Sequence, residues 1–269
     1  MEEIEYLMES EEEAFRLDIK TDSEAVEKQA LWAGIKPGMR VADICCGSGK
    51  TTFTLHKLVQ PRGRAVGVDF SEKRIEYAKK HYGLKGIEFI RIDIRKPLKD
   101  LGMFDFIWVR FVLEYHLSES FHIVKNISNI VKPDGILCLI DLDYNCLTHF
   151  GLSKKLEKTL TDAIKNLEKK ADFDPYAGRK LYSYLYNLGY QDIDVDVRAH
   201  NLIFGKLKER DAFNWMKKIE VISKKINFQP GKFKGGFEEF LEEFKRYFYN
   251  PGRFTYTPII CCRGRKPAI

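Results

Sequence analysis

The chain has 269 residues, too long for a small stapled scaffold and short for two full domains, so one globular domain with insertions is expected. Apolar residues make up 44% and aromatics 13%, which excludes wholesale disorder, and no run approaches the ~18 apolar residues of a membrane span. The formal charge of +6 is unevenly placed: residues 1–30 hold 11 acids against three bases, so the remainder is strongly basic.

The opening MEEIEYLMESEEE has neither a basic start nor an apolar run. No secretory signal is read there, and a cytoplasmic location with six reduced cysteines is expected. Residues 1–30 predict one or two amphipathic helices, with Ile4, Leu7, Met8, Ala14 and Leu17 at helical spacing. Lys36-Pro37-Gly38 is a turn. Met39–Cys45 predicts a buried strand, Thr51–Val59 a helix, and Arg64–Phe70 a second strand. Ser71 is the expected N-cap of the helix that follows. Ile87–Ile94 and Phe104–Phe111 predict the third and fourth strands. A helix is expected over Ser118–Val131, closed by a turn at Lys132-Pro133-Asp134-Gly135. Ile136–Asp143 is the fifth strand. Uniformly apolar strands alternating with helices imply a parallel sheet covered on both faces, wound in both directions.

The later chain changes character. A lysine-rich helix is predicted over Ser153–Lys170 and another over Gly178–Leu188. Gln191–Ile203 alternates, as a strand near a sheet edge does. About forty helical residues separate it from a last strand, Phe254–Arg265. The expected architecture is therefore α/β, a doubly wound sheet of seven mostly parallel strands. Residues 1–30 form helical cover, 31–145 the binding core, and 146–269 a late sheet with a cap at about 205–250 between its last two strands.

Ligands of such sheets bind at strand ends, where the strand order switches. The first strand runs into Asp43-Ile44-Cys45-Cys46-Gly47-Ser48-Gly49, whose glycines allow close backbone approach. The second ends in Asp69, 22 residues after Gly47, where a carboxylate can accept from ribose hydroxyls. The third ends Ile92-Asp93-Ile94, an acid between apolar residues, suited to an adenine. Together these point to an adenosine-type cofactor. A dinucleotide loop would carry a third glycine where Thr52 stands, and Asp43 would repel a phosphate. Both count against a nicotinamide-dependent oxidoreductase.

VADICCGSGK, VGVDFS, IRIDIR, FDFIWVRFVLEYH and VKPDGILCLID, in this order over about Met39–Asp143, resemble the successive motifs of class I S-adenosylmethionine-dependent methyltransferases with a Rossmann-like fold. The Arg16-Leu17 helix and the Gly178-Arg179-Lys180 helix are similar to small-molecule members of the methyltransferase-domain group. The resemblance implies S-adenosylmethionine as cofactor. It places Asp43, Cys45, Gly47 and Gly49 beside the methionine portion and Asp69 on the ribose, with Phe70 beside the adenine. Asp93 and Ile94 would hold the adenine, and Arg110 and Phe111 would flank the sulfonium and the entering substrate. The family usually has glycine where this chain has Cys45, whose side chain would crowd the methionine end or shift the loop.

Methyl transfer needs chiefly alignment and exclusion of water, and a base only if the acceptor must lose a proton early. Asp141, at the end of the fifth strand, and His116 are the candidate bases, ahead of Glu114 and Asp143. Tyr6, Tyr115 and Tyr144 are candidate acceptor-pocket residues. No CxxC spacing supports a metal site. The fourth-strand loop lacks both a Pro-Cys context and an Asn/Asp-Pro-Pro-Tyr pattern, against common nucleic-acid chemistries. A small-molecule acceptor, anionic in view of the basic cap, is the leading expectation, with no membrane partner. The alternative is an RNA or protein methyltransferase: residues 205–269 hold 15 bases and seven acids, interleaved with Phe228, Phe233, Phe237, Phe240 and Phe244. Those rings could equally be the buried face of the cap.

Overall fold

The computed structural model describes residues 13–225 and 227–268. Tyr6 lies outside them. Five strands, β1 (Arg40–Ile44), β2 (Arg64–Asp69), β3 (Ile87–Arg91), β4 (Phe104–Arg110) and β5 (Val131–Leu142), pair in parallel in the order β3-β2-β1-β4-β5. The order reverses between β1 and β4, so the ligand crevice belongs at their carboxyl ends.

Strand alternation divides the core. Val41, Phe106, Trp108 and Ile140 meet Val26, Ala30 and Ala33 of α2 (Ser23–Ala33) and Leu55 and Val59 of α3 (Lys50–Val59) on one face. Ala42, Ile44, Ile107, Val109 and Leu139 meet Ile123, Val124 and Ile127 of α5 (Ser120–Ser128) and Leu181 and Leu185 of α7 (Leu181–Asn187) on the other. Ile75 and Ala78 of α4 (Glu72–Tyr82) pack on Phe89 of β3. Asp22 caps α2 by accepting from the amides of Glu24 and Ala25, and Gly34 ends it in the left-handed region. Ser71 sits at the N-cap of α4, but its hydroxyl makes no capping bond there.

The sheet continues antiparallel. β8 (Phe254–Arg265) lies between β5 and β7 (Gln191–Phe204), pairing with both. A two-residue strand, β6 (His149–Phe150), pairs with the start of β8 and makes eight strands among the described residues where seven were expected. Cys261 and Cys262 face opposite core layers, as alternation requires. α5 stops at Ser128, and the expected turn at Lys132–Gly135 is instead the start of β5. Its backbone finds partners there: Asp134 N–H donates to the Lys266 carbonyl, and Lys266 N–H donates to that of Gly135.

Between β7 and β8 stand α8 (Glu209–Lys225) and α9 (Gly236–Tyr249), packed with α6 (Lys154–Ala171). Phe228, Phe233, Phe240 and Phe244 are buried in this second core with Trp215 and Phe248, and Phe237 packs against it. The interleaved aromatics are therefore packing groups, with rings turned to each other rather than outward. No helix among the described residues is long and apolar enough to cross a membrane.

Candidate functional site

The loop after β1 is shaped by three left-handed backbones: Cys45 at φ 59°, Gly47 at φ 56° and Gly49 at φ 85°. Gly49 serves packing: a Cβ there would meet Ala78 Cβ at 2.7 Å and a Phe89 ring carbon at 2.8 Å. Gly47 faces the short helix α1 (Glu13–Lys20), whose Leu17 comes within 2.9 Å of a Cβ built on it. Cys45 has no such excuse. A non-glycine residue in this region stores about 1–2 kcal/mol of strain.

One cavity spans the carboxyl ends of β1–β4. Asp43, Cys45, Gly47, Asp69, Phe70, Asp93, Ile94, Arg110, Phe111, Tyr115 and His116 all line it, and Arg16, Leu17 and Lys20 of α1 close one side. Most of the residues singled out from the sequence are thus brought together. The carboxylates are already busy. Asp69 accepts from the Gly47 amide at 2.9 Å on one oxygen, and from the Ser71 amide at 3.0 Å and Arg74 Nε at 2.9 Å on the other. It ties the β1 loop to the end of β2. A carboxylate has about four lone-pair sites, so room remains for a ligand donor. Asp93 lies beyond β3, which ends at Arg91 rather than Ile94. It takes a two-pronged grip from Arg95, at 2.9 Å on each oxygen, which pulls its pKa down. Asp43 accepts from Thr52 Oγ1 at 2.6 Å, and burial pushes it up to about 7.

The acceptor side is built by the segment after β4. Phe111 also has a positive φ, 59°, and carries the Arg110 guanidinium 4.0 Å from its ring centre. A 3-10 turn, Leu113–Tyr115, follows. Asp141 holds this turn from behind. Its Oδ2 accepts from the amides of Leu113 at 2.8 Å and Glu114 at 3.2 Å, and its Oδ1 from Leu142 at 2.9 Å. Fully buried, it lies behind the wall and is absent from the cavity lining. The expectation that it points into the pocket as a base is corrected by this geometry: the chain after β4 folds across the end of β5 and uses the carboxylate itself. Burial and the nearby Glu114 raise its pKa well above the usual range.

Glu114 does reach the cavity, with Oε2 accepting from Asn145 Nδ2 at 2.5 Å. His116 lines it too, and burial lowers its pKa. Tyr115 packs on Phe173 with the rings tilted at 56°. Tyr144 does not line the cavity. Its left-handed backbone, φ 48°, leaves the ring half-exposed, between Tyr176 at 5.3 Å and the Arg179 guanidinium at 4.6 Å. Asp143 is gripped by the same Arg179 at 2.8 and 3.0 Å. The sequence reading missed Lys20, Arg74 and Arg95. Each is a charge of a type common on solvated surfaces, and only the fold turns it inward. Among the described residues no group of three His, Cys, Asp or Glu side chains could hold a metal.

Comparison with known proteins bears on this site. Residues 35–189 match the family model described as "Methyltransferase domain". The demethylmenaquinone methyltransferase of Lactococcus lactis is 32% identical over 113 residues, 41% of this chain and 44% of that protein. That of Bacillus cytotoxicus is 31% identical over 110 residues, 39% and 46% respectively. The chain thus spans less than half the length of these relatives. Among solved structures, the YcgJ protein of Bacillus subtilis aligns with TM-score 0.56 at 14% identity, covering 91% of this chain and 99% of that one. Coclaurine N-methyltransferase, bound to N-methylheliamine and S-adenosylhomocysteine, aligns with TM-score 0.53 at 19% identity, over 90% and 72%. At these identities the structural likeness is one of fold.

Proposed function

The chain belongs to the methyltransferase-domain family; on this premise we propose that it is an S-adenosylmethionine-dependent methyltransferase that methylates a nucleophilic atom of a small molecule, mainly by positioning. The observation that carries the proposal is the shared cavity. It runs from the strand-end acids Asp43, Asp69 and Asp93 to Tyr115 and His116, with α1 against it. A wall so close to the reacting end suits a compact acceptor. The curated relatives quoted above are named for methylating a small molecule, demethylmenaquinone. Phe228, Phe233, Phe240 and Phe244, which interleave with the cap's lysines, are buried in a core of their own rather than presented for stacking on a polymer.

The donors present fit the cofactor. Asp69 would take the ribose hydroxyls on the lone pairs that Gly47, Ser71 and Arg74 leave free. Asp93 and Ile94 would hold the adenine, with the half-exposed ring of Phe70 at the rim. Asp43, Cys45 and Gly47 would border the amino-acid end. When bound, S-adenosylmethionine supplies a methyl group on a positive sulfur. The chain's own residues align and shield. Phe111, Val112 and Tyr115 exclude water from the acceptor side. Asp141 acts as a positioning residue, fixing the Leu113–Tyr115 turn through two amides. His116, kept neutral by burial, is the base available to an acceptor that must lose a proton.

The test is transfer of labelled methyl from S-adenosylmethionine into a cell extract separated into small molecules, RNA and protein. Label in the small-molecule fraction is expected. Label confined to RNA or protein overturns the proposal.

A further inference from the structure

The cavity's cations fall into two groups. Arg16 is held by Glu13 at 2.6 and 2.7 Å, Arg74 by Asp69 and Arg95 by Asp93. Lys20 and Arg110 are different. Among the described residues neither has a carboxylate at ion-pair distance, and the buried Arg110 Nε has no hydrogen-bond acceptor. Both approach the same ring: Lys20 Nζ stands 5.3 Å and the Arg110 guanidinium 4.0 Å from the centre of Phe111. The ring's π face is weak compensation for two desolvated charges.

Resting on the small-molecule reading, we propose that Lys20 and Arg110 form a seat for an anionic group of the methyl acceptor, a carboxylate, phosphate or phenolate, against the ring of Phe111. The position argues for the acceptor rather than for the cofactor's own carboxylate. The charges that act on Lys20 are Lys218 of α8, Arg16 of α1 itself, and Arg110 and Glu114 at the end of β4 and the turn after it. Asp69 and Asp93 lie at the far strand ends. Of the acids facing Lys20, Glu114 already accepts from Asn145. The sulfonium adds a further positive charge, so a neutral acceptor would leave three cations against two cavity acids, Asp43 and Glu114. An anion compensates them, and methyl transfer to it removes one charge of each sign.

A second property follows. Burial, with Lys218, Arg16 and Arg110 as like charges and Glu114 opposing, lowers Lys20 to about 7. The seat is fully charged below that pH and weakens as pH rises through it. Arg110, lowered to about 10 by burial with Cys261, Asp43, Asp141 and Asp22 opposing, stays charged throughout, and Asp43, itself raised to about 7, is the other group of the cavity that ionises in this range.

The test uses the full chain saturated with S-adenosylhomocysteine and two probes of one shape, benzoate and benzamide, titrated calorimetrically at pH 6 and pH 8. Benzoate is expected to bind about 10-fold or more tighter than benzamide at pH 6, with a smaller margin at pH 8. Lys20→Met should abolish most of the preference and its pH dependence while S-adenosylhomocysteine affinity stays within about twofold. Lys20→Arg should keep the preference and lose the pH dependence. Equal affinity for the two probes, or binding of neither, overturns the seat. So does a preference that survives Lys20→Met. A loss of S-adenosylhomocysteine affinity matching the loss of benzoate assigns the anion to the cofactor and also overturns it. Binding of benzamide as tight as benzoate removes the seat alone, whereas label confined to RNA or protein in the extract experiment removes the small-molecule reading beneath it.

Discussion

The parallel half of the sheet and the cap hold the two sides of one cavity by opposite means. On the parallel side each polar group sits within two residues of a strand end: Asp43 in β1, Asp69 closing β2, Asp93 just past β3. Backbone register places them, and short local bonds finish the job. On the cap side the wall is assembled from distant segments: Lys20 from α1, Arg110 closing β4, Glu114 after it, Asn145 after β5. Nothing in local sequence ties these together. They depend on an aromatic core that has no polar function of its own. A cofactor half can therefore be shared by many enzymes while the acceptor half is rebuilt for each.

Removing cap packing should break the comparison most forcefully. Phe244 is fully buried, stacked on Phe248 at 5.4 Å. Phe244→Ala is expected to cost ~3–5 kcal/mol in urea unfolding. If the halves are as separable as their construction suggests, S-adenosylhomocysteine affinity at low denaturant stays near wild type. A parallel collapse of affinity would show that the cap also holds the cofactor half.

Acid should pick out the cap next. His149 is bonded to Thr255 Oγ1 at 3.0 Å and the Cys146 carbonyl at 3.1 Å, beside Trp215 and Tyr247, and burial lowers it to about 4. The unfolded chain takes up a proton at this histidine below about 6.5, and the folded cap refuses it until about 4. Stability should therefore fall between those values, by up to ~3 kcal/mol, and change no further below them on this account. His149→Gln should flatten that part of the pH–stability curve; an unaltered curve would clear His149 of the effect.

On the cofactor side, Asp69→Ala should weaken S-adenosylhomocysteine binding by ~1–3 kcal/mol, since both the ribose contact and the Gly47 tether are lost. Calorimetry showing wild-type affinity would mean the ribose lies elsewhere. The smallest effect is expected at Cys45. Cys45→Gly releases the left-handed strain and should gain ~1 kcal/mol in unfolding experiments. A loss instead would show that packing of the thiol outweighs the backbone cost.

The same contrast explains what could be read from the sequence. The five core strands, the strand-end acids and the late antiparallel ribbon were legible, because each is written in periodicity or in a glycine-bearing turn. Asp141 was misread because alternation gives the direction of a side chain but not what the next loop does with it. Here the amides of Leu113 and Glu114 arrive from 27–28 residues away and claim it. Tyr144 was misread for a related reason: one left-handed residue turned the ring out. β6 was invisible because two residues carry no period. Lys20 was not singled out, because its company of Phe111 and Arg110 exists only in three dimensions.

The place of β8 carries a consequence for how the molecule is made. β5 and β7 are both sealed by β8, which pairs with Ile136–Leu142 of β5 and along nearly the full length of β7. During synthesis the doubly wound core emerges first, yet β5 keeps an open hydrogen-bonding edge until residues 254–265 leave the ribosome. The whole cap must be translated in that interval, while an unsealed apolar edge is exposed to neighbouring chains. A nascent chain stalled before Phe254 would present two bare strand edges rather than one, and so would be the species that a chaperone must shield.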